Sequence, residues 1–515
     1  MKHFSKVYAA ELRGIDAQLI EVETDVNVGL HSFTIVGLAD KALSEAKERV
    51  NSALKNSGAK PPNKENRKIV VNLAPADIKK TGSQYDLAIA IGYLISTDQL
   101  APFDATRTLF LGELALDGML RPVTGVLSMV SLAHDRRFTR VVVPAANAAE
   151  AASVPGISII PLTALAELLS YLEGKTKIVP QPPTTFSDIA PTTCSIDIAD
   201  IKGQHHAKRA ITIAAAGGHH LLLSGPPGTG KTMLASAVAS ILPPLSPAEQ
   251  IDVTKIYSAA GLLHQPLFST RPFRAPHHTA SPVSIIGGGT HPRPGEVSLA
   301  HHGVLFLDEL PEFRRDLLES LRQPLESREV CISRIHGTLT FPAKFTLVAS
   351  MNPCPCGYYG DNSNECRCSA EAIARYQKKV SGPLLDRIDL QCHAPRINLP
   401  TLRAKRDPST ETVTTRAIIL RARERQHARM TRLRGAETRA TSNADLAAKE
   451  CDAAIALASD ATKFLDAAFT KYHLSTRGYY RLLKTAQTIA DVDDAPIVSE
   501  AHIAEAVGYR IREIV

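Results

Sequence analysis

Leu221-Leu-Leu-Ser-Gly-Pro-Pro-Gly-Thr-Gly-Lys-Thr-Met233 is the stretch on which the fold turns. An apolar run ends at Gly225. The run Gly225, Pro226, Pro227, Gly228, Thr229, Gly230, Lys231 and Thr232 then completes G-x-x-x-x-G-K-T, the pattern of a phosphate-cradling loop. The apolar run predicts a buried parallel strand, and Thr232 onward predicts a helix. Between them the glycines let backbone N–H groups turn towards a phosphate chain with no Cβ in the way. Lys231 supplies a mobile cation for the terminal phosphates, and Thr232 supplies a hydroxyl for Mg²⁺. The helix adds its positive end. Strand, loop and helix in that order favour a nucleoside-triphosphate site over a chance match.

Length and composition set the frame. A chain of 515 residues has room for about three domains. No run approaches the ~20 apolar residues of a membrane span. Met1 to Ala10 leads into Glu11 and Arg13 without an apolar core, so no secretory signal is expected. Eight cysteines in a chain of this length, four of them clustered, suit metal binding in a reducing cytoplasm rather than a disulfide scaffold. A net charge of +7 permits a polyanionic partner without proving one.

Val304-Leu-Phe-Leu-Asp-Glu309 is the partner of the phosphate loop. Four apolar residues predict a buried strand that ends in two carboxylates. Asp308 can hold the water shell of Mg²⁺, and Glu309 can polarise the attacking water. Further on, Cys354-Pro-Cys356 and Cys366-Arg-Cys368 form two C-x-C pairs nine residues apart. Four thiolates that converge on one tetrahedral ion suggest a structural Zn²⁺. The competing reading is four reduced surface thiols, since C-x-C is tighter than the usual C-x-x-C. No ligand set with an open position is evident, so catalytic zinc is not expected.

On either side the chain reads as separate blocks. Residues 1–172 alternate strands (Leu19 to Thr24, Ser32 to Gly37, Arg67 to Leu73, Arg140 to Pro144) with helices (Asp40 to Leu54, Tyr85 to Ile95), which predicts an α/β sandwich. Residues 173–196, with Pro180-Gln-Pro-Pro183, have linker composition. A helix within 399–442 carries Arg416, Arg421, Arg423, Arg425, Arg429, Arg432 and Arg434. Its basic face can attract a phosphate backbone or can simply be solvated. Residues 443–515 read as a small helical bundle.

Several segments carry resemblances. Asp77 to Ala90 and Leu111 to Gly125 resemble the proteolytic domain of Lon-type proteases, which needs a nucleophilic Ser and a Lys base. The match puts Gln84 and Leu127 at those two positions. It therefore implies a structural or binding domain without peptidase activity, and Ser83 with Lys79 or Lys80 is one residue out of register. Asp197 to Gln204 resembles the opening of AAA+ ATPase modules, which implies that Ile201, Gly203 and Gln204 lie against an adenine. By the same resemblance Asn352 senses the γ-phosphate. Arg387, in Ser381 to Asp389, is then an arginine finger for the neighbouring subunit's nucleotide, against an intramolecular pair with Asp386 or Asp389 as the alternative. Leu474 to Arg481 resembles the sensor of an AAA+ lid, with Arg477 reaching a nucleotide in its own subunit or across an interface.

Pro272 to Ser281, Gly287 to Gly303 and Met351 to Gly357 resemble the magnesium-chelatase-related ATPases. Within these they look most like the ComM/YifB family of bacterial competence proteins, and the likeness covers essentially the whole chain. The resemblance implies kinship with MCM helicases, a hexameric ring, ATP and Mg²⁺. It also implies DNA branch migration in homologous recombination during natural transformation, on single-stranded, forked or three-stranded DNA. It places 272–300 and a hairpin at 328–341, with its turn near His336-Gly337, in a ring pore. Arg274, His277, His278, Arg293, Arg334 and His336 are then candidates for phosphate contacts. Three rivals stay open: a chelatase-type metal-insertion motor, a Lon-type protease, and an AAA+ regulator without helicase activity. The expected fold is α/β. A Lon-protease-like (ribosomal S5 domain 2-like) domain covers 1–172, and a linker covers 173–196. An AAA+ P-loop ATPase core with the four-cysteine zinc loop covers 197–398, a basic helical connection 399–442, and a helical lid 443–515.

Overall fold

The computed structural model describes residues 3–38, 43, 45–64, 66–100, 103–184, 196–289, 292–334, 337–361, 364–403, 408–436 and 438–510. The chain divides into two units. Residues 1–190 with 247–269 form the first, and 191–246 with 270–515 form the second.

The first unit is built on seven strands: β1 (Phe4–Arg13), β2 (Asp16–Val28), β3 (Ser32–Val36), β4 (Arg67–Ala74), β5 (Thr108–Phe110), β6 (Arg140–Pro144) and β7 (Ser158–Leu162). Their order is β3-β4-β2-β1-β5-β6-β7. The β1–β2 hairpin is antiparallel, from Phe4 opposite Asp25 to Arg13 opposite Asp16. Strand alternation sends neighbouring residues to opposite faces. Leu109, Val141 and Val143 enter one core, while Phe110 and Val142 enter the other. After α1 (Ala46–Asn56), α2 (Asp86–Ser96) covers the second core and α3 (Val126–Asp135) the first. Most of the helix expected from Asp40 falls on α1, and residues 39–42 and 44 lie outside the described residues. α2 sits close to the sheet because Gly92 has no side chain. A Cβ there would lie 2.7 Å from Thr24 Oγ1, and Ser5 donates to the Gly92 carbonyl at 2.7 Å.

The second unit opens with α4 (His205–Gly217), β8 (Leu221–Ser224) and α5 (Lys231–Ile241). Next comes α6 (Pro247–Ala260), which groups with the first unit although it interrupts the span 197–398. There it packs on α3: the Gly125 N–H donates to the Ser258 carbonyl at 3.2 Å, and the Ser258 hydroxyl donates to buried Glu150. The second unit resumes with β9 (Phe273–Arg274), β10 (Val304–Leu307), the hairpin β11 (Glu329–Arg334) and β12 (Gly337–Pro342), β13 (Thr346–Met351), α7 (Ala370–Gln377) and β14 (Leu390–His393). Its sheet runs β9-β10-β13-β8-β14 and is parallel throughout. β10 and β13 are buried along their whole length, as strands covered on both faces must be. In a parallel sheet all strand ends of one polarity share an edge, so the loops after β8, β10 and β13 meet.

Helices α8 (Pro408–Arg434), α9 (Ser459–Lys471), α10 (Thr476–Val492) and α11 (Glu500–Gly508) complete the unit. Five of the seven arginines expected on α8 are engaged by the rest of the second unit, and Arg421 and Arg432 are exposed. Arg416 donates to the Ser240 carbonyl at 3.0 Å and Arg423 to the Ala215 carbonyl at 2.8 Å. Arg425 pairs with Asp494, Arg429 with Asp491 at 2.7 Å, and Arg434 with Glu450 at 2.5 Å. These guanidiniums staple α8 to its surroundings. Among the described residues no helix is long and apolar enough to cross a membrane.

Candidate active site

The site forms where β8, β10 and β13 end on one edge. Gly225 can leave β8 only without a Cβ, which would lie 2.3 Å from the Ala394 carbonyl oxygen. Gly228 and Gly230 take the left-handed region at φ +76° and +83°, where L side chains are strained. Lys231 opens α5 and is only 9 % exposed. Its ammonium donates to the carbonyls of Gly225 and Pro226 at 2.8 Å each, and to Asn352 Oδ1 at 3.1 Å. Burial lowers its pKa, against the pull of Asp308 and Glu309.

Thr232 Oγ1 donates to Asp308 Oδ2 at 3.0 Å. Ser350, two residues before Asn352 and therefore on the same face of β13, donates its hydroxyl to Asp308 and accepts the Glu309 N–H at 3.2 Å. The i, i+2 period of a strand is the signal that identifies Ser350. Glu309 itself sits at φ +53°, a conformation costly for a residue with a Cβ and concentrated at working sites. Thr232, Asp308 and Glu309 line a cavity of about 330 Å³ together with Ser236, Phe273 and Phe306, and its wall is completed by Ala275, Pro276, His277 and His278.

Behind the loop, Ile201 is buried in the main core at 6 % exposure. Gly203 turns at φ +62° beside Ile397 and Thr401. Gln204 caps α4, also in the left-handed region, and donates to the carbonyls of Thr229 at 3.2 Å and Pro395 at 2.7 Å. Its Oε1 is buried without a partner among the described residues. A buried acceptor costs about 1–3 kcal/mol until a donor meets it, and an amino group on a bound base would meet it. The donor set therefore fits a nucleoside triphosphate. Thr232 and Asp308, two hard oxygen ligands side by side, fit Mg²⁺.

The two arginines stand elsewhere. Arg387 precedes β14 by three residues and so lies at the opposite edge of the parallel sheet. The N–H groups of Asp389 and Leu390 donate to the His220 carbonyl just before β8 begins, which fixes that level. Arg387 is 5 % exposed. Its guanidinium meets Glu326 at 2.8 Å and the Pro383 carbonyl at 2.6 Å, rather than Asp386 or Asp389. Arg477 pairs with the same Glu326. Glu326 keeps a lowered pKa because the arginines outweigh its burial. Arg481 takes Asp389 at 2.8 Å.

Cys354, Cys356, Cys366 and Cys368 bring their sulfurs within 4.8 Å of one another. Cys354 lies 3.4 Å from Cys356 and 3.7 Å from Cys366, and Cys356 lies 3.6 Å from Cys366. A tetrahedral ion with Zn–S of about 2.3 Å requires S···S near 3.8 Å, so the cluster matches such an ion. The cluster also leans on the active site. A Cβ on Gly357 would lie 2.7 Å from Pro227 of the phosphate loop. The buried phenol of Tyr376 accepts the Asn352 N–H, and burial beside Glu312 and Glu309 pushes its pKa up to about 12.

Of the residues expected to contact DNA, Arg274 forms a bidentate pair with Glu296 at 2.5 and 2.7 Å. His277 and His278 line the nucleotide cavity, and Arg293 is exposed. The side chain of Arg334 and all of His336 lie outside the described residues, at the turn of an observed hairpin. Sequence reasoning also missed Glu326, whose partners stand about 60 and 150 residues further along the chain and which no local pattern marks.

A five-stranded parallel sheet with a phosphate loop, an acidic strand and an interposed polar-ended strand defines a magnesium-chelatase-type AAA+ ATPase. The model for magnesium chelatase, subunit ChlI, matches residues 197–402. Two further models, subunit ChlI of Mg-chelatase and the ChlI C-terminal part, match 22–147 and 409–510. The chain is 42 % identical over 511 residues to competence protein ComM of Haemophilus influenzae, covering 98 % of this chain and 97 % of that one. It is 41 % identical over 507 residues to the uncharacterized protein YifB of Escherichia coli, covering 98 % and 97 %. A stretch of 46 residues is 52 % identical to the archaeal Lon protease of Archaeoglobus fulgidus, 9 % of this chain and 7 % of that one. The chain belongs to the ComM/YifB family.

Proposed function

We propose that the protein assembles as a ring of identical subunits, a hexamer, that hydrolyses Mg·ATP and drives along DNA in the cytoplasm. The work done is unwinding and branch migration in homologous recombination, during natural transformation where the cell takes up DNA. The observation that carries this reading is the separation of the two site halves. Lys231, Thr232, Asp308, Glu309 and Asn352 stand on one edge of the sheet, and Arg387 on the other. A guanidinium that stabilises the transferring phosphoryl must then come from a neighbour. Because Arg477 shares Glu326 with Arg387, both arginines serve the neighbour's nucleotide.

Within one subunit, Lys231 and the loop N–H groups hold the phosphates. Thr232 and Asp308 would hold Mg²⁺, which neutralises charge on the phosphates when bound. Glu309 accepts the proton of the attacking water, and Asn352 orients that water. Gln204, with Ile201 and Gly203, holds the base, and residues 443–515 act as the lid. The four cysteines hold a structural Zn²⁺ under the phosphate loop. Residues 1–172 are a Lon-protease-like scaffold without peptidase chemistry. Gln84, at the position of the nucleophile, donates to Glu11 at 2.9 Å and to the Thr81 carbonyl at 2.8 Å, and Leu127 is fully buried. The β11–β12 hairpin and Arg293 face DNA. The Haemophilus relative is a competence protein, which supports the setting.

The test is strand displacement on forked and three-stranded DNA with the intact chain and with Glu309→Gln, alongside mixtures of Lys231→Ala and Arg387→Ala subunits. The intact chain separates strands with ATP, and mixing two dead variants restores part of the ATPase. No DNA binding and no strand separation would overturn the motor reading, and no restoration on mixing would overturn the shared site. The matching chelatase models favour a second reading, a metal-insertion motor. That motor would show ATPase indifferent to DNA.

A further inference from the structure

Ala275-Pro-His-His-Thr279 follows β9 and brings two imidazoles to the wall of the cavity that holds Thr232, Asp308 and Glu309. The sheet register explains the placement. β9 runs parallel to β10, with Phe273 opposite Val304 and Arg274 opposite Leu305. His277 follows the last paired residue of β9 by three positions, as Asp308 follows its partner Leu305. Two consecutive imidazoles and two consecutive carboxylates thus line one cavity. The bidentate pair of Arg274 with Glu296 anchors the exit from β9. The two rings lie with centroids 4.1 Å apart and planes tilted by 34°, and His278 meets Phe313 edge-on at 6.4 Å. His277 Nδ1 lies 3.3 Å from the Thr279 N–H, which it accepts, and 2.8 Å from the Thr279 hydroxyl. An imidazole that accepts at Nδ1 carries its proton on Nε2. The ring therefore presents one N–H donor away from its own loop.

We propose that His277 is a catalytic residue of the ATPase, donating from Nε2–H to a terminal-phosphate oxygen of the bound nucleotide, with His278 and Phe313 fixing the plane of its ring. Charge in phosphoryl transfer spreads over the equatorial oxygens, and a preorganised donor aimed there acts where that charge develops. Asp308 and Glu309, just past the end of β10, offer only acceptors to a phosphate, and His277 stands on the same cavity wall as they do. The assignment deepens the ATPase reading and rests on it.

The experiment uses the full chain and measures steady-state ATPase for His277→Ala, His277→Gln and His278→Ala, with Lys231→Ala and Glu309→Gln as references. Anisotropy of a labelled single-stranded oligonucleotide without nucleotide reports DNA affinity. His277→Ala should lower kcat about 100-fold, the loss typical of one such donor, with little change in KM. His277→Gln, whose amide N–H can stand in for Nε2–H, should recover at least about a tenth of kcat. His278→Ala should fall between the two, and none of the three should change DNA affinity. Wild-type kcat in His277→Ala beside a dead Glu309→Gln would overturn the proposal and leave the ATPase reading standing. Weakened DNA binding with normal kcat would make His277 a DNA contact and overturn it too. Full activity in Lys231→Ala and Glu309→Gln would overturn the ATPase reading itself.

Discussion

Two lysine-bearing polar clusters, one in each unit, look alike on paper and differ in what they face. In the first unit Lys80 is fully buried and donates to the Pro75 carbonyl. Around it Thr81, Gln84 and Tyr85 all converge on Glu11, and Ser83 turns away to Glu113. In the second unit Lys231 is nearly as buried, and burial lowers the pKa of both. Around it, however, Thr232, Asp308 and Glu309 open onto a cavity of about 330 Å³. A cluster whose donors and acceptors close on one another spends its chemistry on the fold. A cluster whose groups converge on a cavity keeps it for a substrate.

The sharpest way to break this comparison is to remove each lysine. Lys231→Ala should reduce ATPase about 1000-fold, since it takes a preorganised cation from the phosphates. Lys80→Met should leave turnover per folded molecule unchanged, and neither protein should cleave an unfolded protein substrate. Turnover lost on Lys80→Met in a chain that melts normally would show that the closed cluster is not closed.

Glu11 offers the second cut. It is 5 % exposed and accepts from three side chains. Glu11→Ala leaves the buried Tyr85 hydroxyl and the half-buried Thr81 hydroxyl without this acceptor, while Gln84 keeps the Thr81 carbonyl, which should cost about 3 kcal/mol. Urea unfolding followed by a probe in the first unit should show it, with ATPase of the folded protein unchanged. A loss below about 1 kcal/mol would mean that water satisfies the cluster instead.

How far the sequence disclosed this molecule depends on how local each feature is. The phosphate loop and the acidic strand are contiguous, and the structure places Thr232 against Asp308 as their order implies. β1 went unread because it meets a core on each face and its small buried residues, Ser5, Ala9 and Ala10, show no period of two. The arginines of α8 suggested a surface, but their partners Asp491 and Asp494 are far along the chain. His277 and His278 resembled other basic residues of a Gly- and Pro-rich insertion, and only the folded chain puts them on one cavity wall with two carboxylates. Pairings between distant residues leave no periodic trace, so they become visible only in three dimensions.

The smallest effect probes the place where the second unit itself contains both kinds of cluster. Its four cysteines close on one another, as the Glu11 network does, yet they sit against the open site. Gly357 holds φ +86°, and a Cβ there would lie 2.7 Å from Pro227 Cδ. Gly357→Ala therefore adds a left-handed penalty of about 1 kcal/mol and presses on the phosphate loop. Because the strain is relieved only by moving a loop that must cradle phosphates, it should appear as a roughly fivefold rise in KM for ATP with kcat little changed. Stripping the proposed zinc with a chelator should move KM the same way, since the loop between Cys356 and Cys366 loses its clip. The two treatments together should then add little to either alone, because both act through one contact. Equal, fully additive shifts would separate the metal from the phosphate loop and return the cysteine cluster to a purely structural role.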